Sequence, residues 1–272
     1  MKDSTYLFLW DTGAEHSIIL KDQVTLRNIP IELLNIKGTD SIQHSREILL
    51  VESEIANMDY AKIGKFKIPA QQIRVNQFSK LKDKHKPAIV GLIGQDIIST
   101  LHWKIDFQKK IIKISNLDFP EEKTEKQTIH LPFFNQSKFS KVPFFNLKLN
   151  SDNVENFLFD TGWSNSITIK SIDTFKVSPS LVFNKNINKI QFSSNRTIEL
   201  EDQSSKKEHK KIMTLDSISI NNYEFKNFVI SEEHVKDFNF CTFHFLELFP
   251  RMYYNPDKKN ITFAIEHTML KK

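Results

Sequence analysis

The tripeptide Asp-Thr-Gly occurs twice in the chain, and in both places it follows a run of large apolar residues. The first copy is Phe-Leu-Trp-Asp-Thr-Gly at residues 8–13, and the second is Phe-Leu-Phe-Asp-Thr-Gly at residues 157–162. A Ser-Ile pair stands at the same distance beyond each glycine, at residues 17–18 and 166–167. Glycine is scarce, with six in 272 residues, and two of the six complete these tripeptides. One Asp-Thr-Gly is typical of an ordinary turn, whereas two copies in matched settings indicate an internal repeat.

The composition is that of a folded protein rather than a disordered one. Hydrophobic residues make up 39% of the chain and include 23 phenylalanines, which is ample for a packed core. The 38 basic and 33 acidic residues leave a formal charge of +5, and many lysines lie in short mixed runs such as 80–86 and 206–211. Such runs are typical of solvated loops. Because no basic cluster is interleaved with aromatic residues, we predict no nucleic-acid partner.

Cysteine and histidine give no indication of a metal site. The one cysteine, Cys241, excludes an intramolecular disulfide, and its Phe-rich surroundings favour a core position over a nucleophilic role. The nine histidines are scattered, and no His-Glu-x-x-His occurs. No apolar stretch approaches the roughly 18 residues that cross a bilayer. We therefore predict no metal, no cofactor and no membrane-spanning segment.

Short strands and turns dominate the chain, which predicts an all-β protein. The first half contains, in order, a long hairpin over 31–55 with its turn at 36–40, a hairpin over 58–68, a buried strand and short helix over 88–98, and a closing hairpin over 103–114. The second half repeats this order and ends in a hairpin over 252–263. We predict lobes at residues 1–117 and 129–272, joined by a Glu/Lys-rich linker at 118–128.

The two halves differ in what precedes the tripeptide. An alternating segment at 144–149 and a Ser-Asp-Asn turn lead into the second copy, whereas the first has ten residues before it. Either the lobes differ by a strand or the chain begins inside a longer natural protein, with any export signal further upstream. Residues 1–10 do not resemble a signal peptide, since they lack a basic start and a long apolar run.

These repeated segments resemble the aspartic peptidases of the retropepsin-like and pepsin-like superfamily. The resemblance rests on Phe8–Ile18, Phe157–Ile167 and the stretch Leu92–Ile98, which is similar to the family's apolar-apolar-Gly segment before its short helix. The order of the repeats extends it over nearly the whole chain. It implies two similar retropepsin-like β-barrel lobes in one chain with a shared active-site cleft, as in some bacterial members.

The resemblance implies that Asp11 and Asp160 form a catalytic pair that holds a water between them. Two such close carboxylates share a proton and titrate as a pair, so one takes a proton from the water and the other donates to the peptide carbonyl. The resemblance also implies supporting roles for neighbouring residues. Hydroxyl groups would link the two loops, glycines would let backbone amides approach the carboxylates, and a hairpin would close over substrate. The hydroxyl groups are those of Thr12 and Thr161, and the glycines are Gly13 and Gly162. The candidate flap is Gly38 and Thr39 within 34–50, with a lesser counterpart in 185–205.

Three positions depart from the family pattern. Ala14 and Trp163 stand where a hydroxyl residue often follows the glycine, and Cys241-Thr242 has no glycine where the first half has Gly94. Because removing hydrogen-bond donors from an ionised group raises its pKa, we predict an activity optimum less acidic than pepsin's. These departures also motivate an alternative, a catalytically inactive peptide-binding or assembly protein on an aspartic protease scaffold.

The predicted function is that of an aspartic endopeptidase acting on a peptide or protein substrate. Since both catalytic positions lie in one chain, we predict a monomer. The resemblance favours an extracytoplasmic location.

Overall fold

The computed structural model describes most of the chain in separate stretches. These are residues 5–44, 47–59, 61–76, 89–120, 125, 127–138, 140–149, 152–162, 167–169, 180–182, 189–191, 197–199, 211–221, 223–232, 239–246 and 249–265. The chain divides into two compact units, Met1–Thr100 and Leu101–Lys272. The lobe limits predicted from the repeat, at residues 117 and 129, stay a prediction.

The first unit consists mainly of strands. Its elements are β1 (Leu7–Trp10), β2 (Ile18–Leu20), α1 (Lys21–Arg27), β3 (Glu32–His44), β4 (Glu47–Met58), β5 (Ala61–Ile63), β6 (Phe66–Ile68), β7 (Gln71–Asn76), β8 (Ile89–Ile93) and α2 (Gln95–Ile98). Six strands form one sheet in the order β1-β8-β2-β7-β4-β3, and β5 and β6 form a separate hairpin. Strand β8 runs parallel to β1 and antiparallel to β2, so it lies between the two strands that flank the first tripeptide.

Alternating apolar residues give the first unit its core. In β7, Ile73 and Val75 are buried, and they pack with Ile19, Ala56 and Met58 in one cluster. This period of two is what places one face of a strand against the core.

The hairpin predicted over 31–55 exists, but the predicted turn at 36–40 is wrong. Gly38 and Thr39 lie within β3 and pair with Ser53 and Glu52 of β4, and the pairing continues to His44 and Glu47. Thr and Ile residues on β3 favour an extended ladder, so a single glycine does not end it. Helix α1 was not predicted. Its N-cap residue Leu20 makes no side-chain cap hydrogen bond, and the sequence therefore carries no start signal there.

The second unit contains the remaining elements. They are β9 (His102–Asp106), β10 (Ile111–Ser115), β11 (Thr128–Pro132), β12 (Phe144–Leu149), β13 (Asp152–Asp160), β14 (Ile167–Ile169), β15 (Ser180–Val182), β16 (Lys189–Gln191), β17 (Thr197–Glu199), β18 (Lys211–Ile220), β19 (Tyr223–Glu232), β20 (Asn239–Thr242), α3 (Phe243–Leu246), β21 (Arg251–Asn255) and β22 (Asn260–Ala264). A seven-stranded sheet has the order β12-β13-β20-β14-β19-β18-β15, and a five-stranded sheet has the order β10-β9-β21-β22-β11. The two closing hairpins predicted from the sequence are β9–β10 and β21–β22, and they share this second sheet.

The sheet that carries the second tripeptide repeats the topology of the first unit. Strand β20 runs parallel to β13 and antiparallel to β14, as β8 does between β1 and β2. Stacked aromatic rings fill this unit's interior, with Phe145 on Phe157 at 6.1 Å and Phe249 on Phe263 at 4.4 Å between ring centroids. Across the described stretches strands far outweigh three short helices, so the all-β prediction is confirmed. No helix within those stretches is long and apolar enough to cross a membrane.

Candidate active site

The first tripeptide forms a loop that begins where β1 ends. The Asp11 N–H donates to the Ile93 carbonyl oxygen at 3.0 Å, which ties the start of the loop to β8. The carboxylate of Asp11 turns back over its own loop, and its Oδ1 accepts from the N–H groups of Gly13 at 3.0 Å and Ala14 at 3.2 Å. The half-buried side chain is thus oriented by backbone donors two and three residues ahead.

The second tripeptide repeats the glycine contact of the first. The Gly162 N–H donates to Asp160 Oδ1 at 2.8 Å. Asp160 ends β13 and pairs with Thr242 of β20, while the Phe159 N–H donates to the Pro143 carbonyl oxygen at 3.0 Å. In both copies, therefore, the glycine of the tripeptide donates its backbone N–H to the aspartate two residues earlier.

Ser17 and Asp96 fasten the first loop to helix α2. The Ser17 hydroxyl donates to Asp96 Oδ1 at 2.5 Å and accepts from the Gly94 N–H at 2.9 Å. The Ser17 N–H donates to Asp96 Oδ2 at 2.8 Å, so one carboxylate receives both donors of the serine. Ser17 is buried. We call this arrangement of Ser17, Gly94 and Asp96 the loop clasp.

Gln95 supports the same loop from beneath the tripeptide. Its side-chain Nε2 donates to the Thr12 carbonyl oxygen at 2.9 Å, and its backbone N–H donates to the Ala14 carbonyl oxygen at 2.8 Å. Thr12 and Gln95 are both fully buried. A buried amide that bonds to the tripeptide backbone fixes its path, because either group left unpaired would carry a desolvation cost.

Gly94 lies where the chain passes so close that a side chain does not fit. A Cβ at this position would stand 2.6 Å from the carbonyl carbon and oxygen of His16 and 2.9 Å from the Ala14 oxygen. All of these atoms belong to the backbone of the first loop. Steric exclusion of a Cβ by the backbone therefore explains why residue 94 is glycine.

The second copy has Thr242 where the first copy has Gly94. Thr242 pairs with Asp160 and is fully buried, and Cys241 beside it is fully buried too. Burial raises the pKa of the Cys241 thiol well above its ordinary value. The thiol is therefore protonated at neutral pH, which supports the core position predicted for Cys241 and opposes a nucleophilic role.

The predicted site residues fall into two loops. Asp11, Thr12 and Gly13 lie together in the first unit, and Asp160, Thr161 and Gly162 lie together in the second. Gly38 and Thr39 lie in β3, away from a turn, and Trp163 is outside the described residues. Part of the predicted lesser flap, 185–205, forms the hairpin β16–β17, and its other residues lie outside the described stretches.

Sequence reasoning missed the three residues that hold the first loop in place. Ser17, Gln95 and Asp96 were noted only as parts of repeated segments, and they meet across 77 to 83 positions in the sequence. The signal that could have found Ser17 is its recurrence as Ser166 at the matched place. Within the part of the chain that the structure describes, no three His, Cys, Asp or Glu side chains are grouped so as to hold a metal ion.

Similarity to known proteins is found among solved structures. No protein-family model matches the chain, and no curated protein matches it. Among solved structures, the chain is similar to a retropepsin-like aspartic protease from Rickettsia conorii, with 18% sequence identity and a TM-score of 0.31. The similarity covers 50% of this chain and 89% of that one.

Proposed function

We propose that the protein is an aspartic endopeptidase that hydrolyses peptide bonds with Asp11 and Asp160. The observation that carries this proposal is the matched pair of carboxylates. In each repeat the tripeptide glycine donates its N–H to Oδ1 of the aspartate, at 3.0 Å for Asp11 and 2.8 Å for Asp160. A tripeptide that served only as a turn would not require a second copy with the same internal hydrogen bond. An active site built from two loops requires two such copies.

In this proposal the two carboxylates share one proton and hold a water between them. The ionised carboxylate takes a proton from the water as the water attacks the peptide carbonyl carbon. The protonated carboxylate donates to the carbonyl oxygen, and the resulting tetrahedral species then releases the amine. Since the two groups titrate as a coupled pair, the roles of acid and base belong to the pair.

The backbone donors of each loop have a defined task in this reaction. The N–H of Gly13 and that of Gly162 each bond Oδ1 of their own aspartate. Each carboxylate is thereby held in one orientation. The loop clasp and Gln95 hold the first loop in that position.

The second candidate function is peptide binding without cleavage on the same scaffold. The observation that favours it is the unequal support of the two loops, because Thr242 replaces the glycine crossing that Gly94 provides in the first unit. Against it stands the retention of both aspartates with the same glycine hydrogen bond.

Peptide cleavage by single variants tests the proposal. Asp11→Asn and Asp160→Asn keep the shape of the side chain but remove the shared proton chemistry, so we expect each to lower kcat/KM by at least about a thousandfold. The matched control is Asp59→Asn, because Asp59 is an exposed carboxylate of the first unit and should leave activity unchanged. Pepstatin should inhibit the wild type.

The outcomes separate the two candidate functions. Equal cleavage by wild type and both active-site variants would show that the aspartic mechanism is wrong. Absence of cleavage by the wild type, together with saturable binding of pepstatin or of peptides, would favour the binding protein.

A further inference from the structure

One face of the five-stranded sheet in the second unit carries a row of polar side chains, most of which are buried. Across β9, β21, β22 and β11 the row consists of Lys104, Tyr253, Thr262 and His130, each opposite the next. Tyr253 and Thr262 are almost completely buried, and Lys104 is 8% exposed. Buried polar groups require hydrogen-bond or charge partners, so this face needs groups that cover it.

Glu125, from the Glu/Lys-rich segment 118–128, bonds to this face. Its Oε1 accepts from Arg251 Nε at 2.6 Å and from the Tyr253 hydroxyl at 2.7 Å, and its Oε2 accepts from Arg251 Nη2 at 2.9 Å. Arg251 and Tyr253 are two positions apart in β21 and therefore lie on the same face of the sheet. Two N–H bonds from one guanidinium to both oxygens are the geometry that selects a carboxylate. We call Arg251 and Tyr253 the carboxylate clamp.

The surroundings of the carboxylate clamp favour an anion. The hydrogen bond from Arg251 is the main reason that the pKa of the Glu125 carboxyl group is lowered, and the charge of Lys104 adds to this effect. The Lys104 Nζ lies 5.2 Å from the centroid of the Tyr253 ring, and the Phe119 ring lies 6.3 Å from the same centroid. Because a partly buried cation without an anion carries a desolvation cost, the clamp is stabilised by whatever carboxylate fills it.

Asp118 attaches the same segment with less selective partners. Its Oδ1 accepts from Asn255 Nδ2 at 2.7 Å, and its Oδ2 accepts from Lys258 Nζ. The side chains of Asp118 and Lys258 are 33% and 60% exposed, whereas that of Glu125 is 15% exposed. A lysine is a flexible point charge with no preference for a planar anion. Glu125, rather than Asp118, therefore occupies a site shaped for a carboxylate.

We propose that the carboxylate clamp is a binding site for a carboxylate group in its own right and that Glu125 is its tethered ligand. Both donors stand on β21, which is paired on one side with β9 and on the other with β22. The clamp therefore persists when the Glu125 carboxylate is removed, and it takes up a free carboxylate such as acetate from solution. The proposal concerns the second unit alone and does not depend on the proposed peptidase activity.

The ion pair between Lys21 and Glu54 in the first unit provides a matched control. It also joins one carboxylate to one cation, and the Glu54 side chain is 28% exposed. Lysine supplies no planar fork of donors, so removal of the Glu54 carboxylate leaves no site shaped for another.

Chemical rescue by acetate tests the proposal. Glu125→Ala removes the tethered carboxylate and should lower the midpoint of urea unfolding. Sodium acetate at up to about 0.2 M and pH 7 should restore at least roughly half of that shift along a saturating curve, whereas sodium chloride at the same ionic strength should not. The double variant Glu125→Ala/Arg251→Leu, the control Glu54→Ala and the wild type should each respond to acetate as they respond to chloride.

Three results would overturn the proposal. Acetate could stabilise Glu125→Ala no more than chloride does, its specific effect could persist in the double variant without Arg251, or Glu54→Ala could be rescued to the same extent.

A measurement on the wild type keeps the proposal testable if Glu125→Ala does not fold. The Arg251 Nε–H should exchange with solvent at least about tenfold more slowly than the Arg27 Nε–H, which bonds to the neutral Gln23 Oε1 at 2.9 Å. Equal exchange would show that the guanidinium is not held by a carboxylate and would also overturn the proposal. Because neither measurement involves peptide cleavage, a failure here is distinct from a failure of the cleavage test.

Discussion

Removal of the Ser17 hydroxyl should loosen the first tripeptide loop by an amount that the clasp geometry predicts. Ser17→Ala deletes the acceptor of the Gly94 N–H, in a buried setting, and one donor to the partly buried Asp96 carboxylate. A buried donor left without a partner costs about 1–3 kcal/mol. If the Gly94 amide exchanges by local opening, this corresponds to about 5- to 150-fold faster exchange.

The assay pairs amide exchange at Gly94 with a double-mutant cycle. Ser17→Ala, Asp96→Asn and the double variant are compared in urea unfolding. Because both changes break the same hydrogen-bonded group, we expect the double variant to be less destabilised than the sum of the single variants, by about 1–2 kcal/mol.

Additive effects of Ser17→Ala and Asp96→Asn on stability would refute the coupling that the loop clasp predicts. If the two single effects sum to the double effect within about 0.5 kcal/mol, the residues do not act on one another. Unchanged exchange at Gly94 in Ser17→Ala would refute it independently.

Three further outcomes are expected. Gly94→Ala should destabilise by about 1–3 kcal/mol in urea unfolding because its Cβ meets backbone atoms at 2.6 Å, whereas Gly38→Ala, whose Cβ would have its nearest contact at 3.7 Å, should stay within about 0.5 kcal/mol of wild type. Glu125 is held by a bidentate contact to Arg251 at 2.6 and 2.9 Å, which lowers the pKa of its carboxyl group. A lowered folded-state pKa gives stability that is present above the unfolded value of about 4.3 and is lost as pH falls through the folded value. The stability gap between wild type and Glu125→Gln, measured by urea unfolding, should therefore be full at pH 7 and shrink in acid, and a gap independent of pH would contradict this. Finally, since Ala14 carries no hydroxyl, peptide cleavage should peak above about pH 3, and a maximum below that value would contradict the expectation.

Local signals in the sequence were sufficient for most of the fold. The strand and short helix around Gly91 and Gly94 were predicted because an apolar run and scarce glycines mark a buried strand that ends at a tight crossing. The hairpins β5–β6, β9–β10 and β21–β22 were predicted because polar turn residues separate short apolar runs. In each case residues adjacent in sequence decide the structure.

The errors arose where distant pairing decides the structure. Gly38 was predicted to lie at a turn, yet cross-strand pairing with β4 keeps it inside β3. Helix α1 has no capping side chain at its start, so only its tertiary position makes it helical. Neither outcome can be derived from neighbouring residues alone.

The residues of the candidate site also differ in whether the sequence alone could identify them. Asp11 and Asp160 are predicted as a pair because their sequence repeats, and each accepts a hydrogen bond from the glycine of its own tripeptide. The bonds from Ser17 to Asp96 and from Gln95 to Thr12 join residues that are far apart in sequence. A single sequence shows such residues but does not show that they meet.

The five-stranded sheet has a consequence for how the polypeptide can be divided. By sequence, β9 and β10 end the first repeat, but by hydrogen bonding they belong with β21, β22 and β11 of the second. A cut at the repeat boundary near residue 118 would therefore sever β9 from β21 and expose two newly unpaired edges. A cut near residue 100 leaves the sheet whole. The stretch predicted as the first repeat and the compact unit Met1–Thr100 are thus different stretches of this chain.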